Sequence, residues 1–201
     1  MQVPPFFDAV PRVAMRDPLA ETLGAADDGI IEYGYVDAVK LAGHSCPTVA
    51  GAWLMTVKAL ARLYGDDLPR RGEIRVELRQ PQDEGVAGVI GNVAGLLTGA
   101  AGDGGFKGLA GRYSRRGLLA YGAQIDGDIR YTRTDTGKSV EVAYHPEVVE
   151  RPAELKALMQ TALGPSADAQ ARRAFGGAWQ EWVRRIVVDH ADDPALVTVA
   201  G

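Results

Sequence analysis

Thiols are nearly missing from this chain: its 201 residues hold a single cysteine, Cys46. One thiol excludes an intrachain disulfide and any zinc finger that needs several thiolates. A reducing, cytoplasmic setting is the resulting expectation. Positive charge is not in excess either. Lys and Arg total 22 against 26 Asp and Glu, for a net charge of -4, which argues against nucleic acid or an anionic membrane as the main partner. Long apolar runs are absent as well. The uncharged stretch from Gly85 to Gly102 is diluted by glycines and by Asn92, so it reads as a buried helix, not a membrane span. The residues from Met1 to Val13 lack the basic-then-apolar pattern of a secretion signal.

What is present is ordinary globular material, long enough for one sizeable domain over 1–201. A short helix is expected over Leu19–Leu23 and another over Tyr33–Leu41. The clearest helix starts at Pro47: Val49, Trp53, Val57, Leu60 and Leu63 recur at helical spacing until Gly65. Residues Arg71–Gln80 alternate Ile74, Val76 and Leu78 with charged neighbours, the pattern of a half-buried strand. A helix over Gly85–Ala100 would place Gly91, Gly95 and Gly99 on one face, where close approach of a partner helix or a ligand explains them. A strand over Leu118–Ile125 and a hairpin of Ile129–Arg133 with Val140–Tyr144 follow. From about 152 the chain reads as a helical extension. Its second helix, Ala167–Asp189, has Ser166 as a candidate cap and carries Phe175, Trp179 and Trp182 on one side. The residues after His190 read as a polar tail that docks or frays. Strands and helices cluster instead of alternating, so the expected class is α+β, an antiparallel sheet packed with helices.

The chemistry concentrates at Gly43-His44-Ser45-Cys46-Pro47. Pro47 suits the first helical position, which makes Cys46 the cap residue of the following helix. Helix N-termini carry free N–H groups and partial positive charge, surroundings that favour thiolates. Imidazole plus thiolate suits zinc, and also iron or copper. Two ligands leave a shell incomplete, and the remaining donors by residue type are His145, Asp103, Asp37 and Glu84. The other readings are a buried cysteine acting as a small hydrophobe, and a nucleophilic Cys46 with His44 as its base. The segment Gly99–Gly111 could hold an anion on its backbone N–H groups, with Lys107, Arg112, Arg115 and Arg116 adding charge. A tight turn with solvated arginines is the alternative.

The run His44-Ser45-Cys46-Pro47 before a helix, then Leu97-Thr98-Gly99 and a glycine-rich segment leading to an arginine-bearing strand, resembles the FmdE family over about Val36–Gln124. That family takes its name from a component of formylmethanofuran dehydrogenase, an enzyme of one-carbon metabolism. The resemblance implies an α+β homodimer that binds a metal, commonly zinc, through His44 and Cys46. It implies open coordination positions for a small anionic or pterin-like ligand, faced by Asn92 and Lys107, with Cys46 and Lys107 the candidates for catalysis. It also implies a non-catalytic alternative: an accessory or metal-delivery component of a larger molybdenum or tungsten oxidoreductase, docking through the Trp179 and Trp182 helix. The chain departs from the family at several positions. Ala42 stands where members often have a first histidine, Ala100 and Val89 where they have cysteines, and Asn92 where they often have an aspartate. The cysteines of the zinc finger that some members carry have no counterpart in these residues.

Overall fold

The computed structural model of the protein describes residues 2–201. The first unit is a small antiparallel ribbon of β1 (Val13–Arg16) and β2 (Ile30–Tyr33), which the sequence pattern did not disclose. Between them lies α1 (Pro18–Thr22), capped by Asp17, whose carboxylate accepts the Leu19 N–H at 2.9 Å and the Ala20 N–H at 3.3 Å. The next helix, α2 (Tyr35–Ala42), starts after Tyr33 because Tyr33 is already committed to β2.

Helix α3 (Pro47–Tyr64) is the axis of the molecule. Val49, Trp53 and Met55 are fully buried on several of its faces. A helix apolar on most sides must be covered on most sides, and here α2, α4 (Ala87–Thr98), the sheet and the end of the last helix all pack on it. Helix α4 matches the expectation from the uncharged stretch. Its glycine stripe is explained differently: Gly91 lies against the Tyr121 ring and Gly95 against the Ala100 carbonyl, so no partner helix approaches there.

The main sheet has the order β4-β3-β5-β6-β7. Strands β3 (Ile74–Leu78), β5 (Ile129–Arg133) and β6 (Ser139–Tyr144) are antiparallel neighbours, while β4 (Leu119–Tyr121) joins β3 in parallel, so the sheet is mixed. Ile74, Val76, Ile129, Tyr131, Val140 and Val142 are buried on one sheet face, and alternation along the strands leaves the other face to Arg75, Glu77, Arg130 and Glu141. The class is α+β, as the clustering of elements implied.

The C-terminal region begins with α5 (Leu155–Ala162) and α6 (Ala169–Arg184), which runs into a π-helical turn over Arg185–Asp189. Asp168, not Ser166, caps α6, accepting the Ala171 N–H at 2.7 Å. The segment after His190 does not fray. It ends in β7 (Val197–Ala200), antiparallel to β6, with Leu196 fully buried. No helix among the described residues is long and apolar enough to cross a membrane.

Candidate functional site

The loop between α2 and α3 is held in place by its own chemistry. Helix α2 ends at Gly43, which takes a left-handed φ of 75° that a side chain would disfavour, and this turns His44 out of the helix. The His44 ring then folds back, with Nδ1 2.9 Å from the Ala42 carbonyl oxygen. A carbonyl can only accept, so Nδ1 carries the proton and the lone pair of Nε2 stays free. Backbone carbonyls fix metal-binding histidines in this way.

Cys46 has extended backbone geometry and caps α3, with Pro47 in the first helical position as the sequence implied. Its Sγ accepts the Val49 N–H at 3.5 Å and is partly exposed. No hydrogen bond among the described residues joins His44 to Cys46. Each side chain is instead oriented by backbone.

Ser45, between them, is the anchor. Its hydroxyl pairs with the Tyr35 hydroxyl at 3.0 Å in the core. Its carbonyl accepts the Trp179 indole N–H at 3.0 Å and the Gln180 side-chain amide at 3.1 Å. Two residues on, the Pro47 carbonyl accepts the Tyr144 hydroxyl at 3.0 Å. Burial pushes the phenols of Tyr35 and Tyr144 well above their ordinary range. Both therefore stay neutral and serve as struts, not as acid or base groups.

His44 and Cys46 open into one groove of about 810 Å³ between the start of α3 and the C-terminal helices. Its far wall is Leu155, Met159, Trp179 and Trp182, and Arg151 and Lys156 line it too. Arg151 stacks on the Trp182 ring at 4.8 Å from its centroid. Trp179 and Trp182 meet edge to face at 5.7 Å. Trp179 is tied to the loop and Trp182 is buried with its N–H on the Val149 carbonyl, so α6 does not present the pair as a fully exposed docking face.

The sequence pattern exposed the aromatic stripe of α6, but nothing in it connected that stripe to the loop that Ser45 anchors, 134 positions before Trp179. Arg151, Lys156 and Met159 carried no local signal of a site. They enter it because α5 packs on α6 and α6 packs on the loop.

The other expected site residues lie elsewhere. Asn92 is exposed on α4 and lines a separate groove of about 670 Å³ beside β4, together with Asp103. Lys107 is exposed on the glycine-rich loop and lines neither groove. Asp37 caps its own helix through the Gly34 N–H at 2.9 Å, and Glu84 is exposed on the connection before α4. His145 sits 3.4 Å from Thr198 on β7, and His190 pairs with Asp193 at 3.1 Å. No group of three or more His, Cys, Asp or Glu side chains converges among the described residues.

The arginines of the glycine-rich segment do not form an anion cradle. Arg115 is buried and donates to Asp17 at 2.6 Å, and Arg71 holds the other Asp17 oxygen at 2.8 Å. Arg116 is tied to the Asp103 carbonyl at 2.7 Å. Phe106 and Leu109, on the same segment, are exposed apolar side chains.

No protein-family model matches this chain, and no curated protein matches it.

Proposed function

We propose that this chain is a metal-binding protein of the FmdE type, taking one transition metal, zinc by ligand chemistry, on His44 Nε2 and Cys46 Sγ. The observation that carries the reading is the hydrogen bond from His44 Nδ1 to the Ala42 carbonyl, which leaves Nε2 free in the groove that the partly exposed Cys46 also lines. One imidazole and one thiolate fit zinc as half of a tetrahedral shell. Such a shell stays open to water, to a small ligand, or to a donor from a second copy of the chain. A bound ion there would supply Lewis-acid polarisation of a ligand oxygen.

The chain's own residues supply the rest. Ser45 is fixed from below by Tyr35 and from the side by Trp179 and Gln180, so the two donors keep their spacing without a metal to organise them. Arg151 and Lys156 bring positive charge to a groove that already faces the N-terminus of α3, which favours an anionic ligand. The homodimer that the family implies belongs to the same proposal. A free thiol ligand is best preserved in a reducing compartment, and the reading places the protein in the cytoplasm.

Elemental analysis of the purified protein and of His44→Ala and Cys46→Ser variants tests the reading. About one ion per chain is expected, lost in both variants. Undiminished metal in either variant, or metal-free wild type after preparation with zinc, would overturn it.

A further inference from the structure

We infer that the groove lined by His44 and Cys46 selects a planar organic carboxylate, with its anionic end at Arg151 and Lys156 and its ring against Trp179 and Met159. The inference rests on the reading of this groove as the functional site, and it adds the class of molecule the site takes.

Three observations carry it. The first is charge. Arg151 and Lys156 are exposed, both line the groove, and neither forms an ion pair among the described residues, although most arginines in this protein do. Lys156 is thus unpaired, and Arg151, whose flat face stacks on Trp182, keeps its N–H edge for a carboxylate, which a guanidinium recognises through paired donors. The carboxylates of Glu147 and Glu150 line an adjoining groove, which shares Arg151 with this one, and do not line this one.

The second is shape. The lining includes the partly exposed Trp179 indole and the Met159 thioether, side chains that offer flat, polarisable surface, while Trp182 is buried beneath Arg151. Met159 is 39 % exposed, although a methionine on an amphipathic helix would ordinarily face inward. The third is rigidity. Both indoles have their N–H groups occupied, Trp179 by the Ser45 carbonyl and Trp182 by the Val149 carbonyl at 3.3 Å. Their rings are therefore fixed as an apolar surface, with no free donor for a polar ligand. A ligand that is polar throughout would waste this wall, and a neutral aromatic one would leave the two cations unused.

The experiment is a fluorescence titration of the full chain with benzoate, benzamide and acetate, run both on chelator-stripped and on zinc-supplemented protein. Benzoate is expected to quench tryptophan emission saturably. Benzamide lacks the charge and acetate lacks the ring, so both should bind about tenfold more weakly or worse. Lys156→Gln should weaken benzoate without moving the thermal midpoint, because that side chain is exposed, and adding Arg151→Gln should weaken it further while the lost Arg151–Trp182 stack lowers the midpoint slightly. Equal binding of benzamide, benzoate binding untouched in the double variant, or no saturable quenching would overturn the inference. Benzoate selectivity in stripped protein that also fails to take up zinc would sustain the inference and remove only the metal. Zinc uptake without benzoate selectivity would do the reverse.

Discussion

The indole N–H of Trp179 donates to the carbonyl oxygen of Ser45 at 3.0 Å, bridging 134 positions of sequence. That bond ties the C-terminal helix to the loop that carries His44 and Cys46. The helical region from α5 onward is therefore a wall of the candidate site and not an appendage.

Trp179→Phe keeps an aromatic ring, though a smaller one, and deletes the donor. The Ser45 carbonyl retains Gln180, so the expected loss of stability is about 0.5–1.5 kcal/mol. The loop loses one of its two lateral supports, and zinc affinity should fall about tenfold, as for other groups that orient metal ligands. Competition with a chelating indicator measures it. Unchanged affinity would mean that the loop holds its geometry without α6.

Asp17 is the centre of a buried cluster, flanked by Arg115 at 2.6 Å and Arg71 at 2.8 Å. Asp17→Ala leaves the buried Arg115 without its counter-charge and also removes the cap of α1. A loss of about 3–5 kcal/mol is expected from breaking such a pair. Urea denaturation monitored by circular dichroism checks this, and a change under about 1 kcal/mol would show the cluster to be energetically idle.

The same carboxylate sets an acid limit. Burial pushes the Asp17 carboxyl upward, but the Arg71 hydrogen bond, the Arg115 charge and the Ala20 N–H outweigh it and hold the group below its usual range. A carboxyl lowered in the folded state stabilises the protein above its unfolded pKa, and that contribution fades as pH falls below about 4. Urea midpoints should therefore stay level from about pH 7 to about pH 5 and drop below about pH 4. Asp17→Asn should show a shallower drop. Identical acid slopes in the two proteins would mean that Asp17 does not set the limit.

Leu196 is fully buried just before β7, and its carbonyl accepts the His145 N–H at 2.9 Å. Leu196→Ala should cost about 2–5 kcal/mol, the range for emptying a core leucine site. A loss below about 1 kcal/mol in chemical denaturation would mean that the last strand lies outside the cooperative core.

Much of the local structure could be read from residue order, because it depends on neighbours in the chain. Pro47 and Gly65 bound α3, alternation of Ile74, Val76 and Leu78 defines β3, and the hairpin of β5 and β6 follows from its turn. The His44–Cys46 pair was legible for the same reason: a cap residue, a proline and a helix stand in sequence. Where the pattern misled, a distant partner decided. The end of the chain looked polar, yet Val197 pairs across to Tyr144 and joins the sheet. Arg115 looked like a solvated member of a basic cluster until the fold brought Asp17 to it from 98 positions away. The groove is the clearest case. Arg151, Lys156 and the two tryptophans come to line one groove only when α6 lies on the loop, and hydrogen bonds across such separations leave no trace in local periodicity.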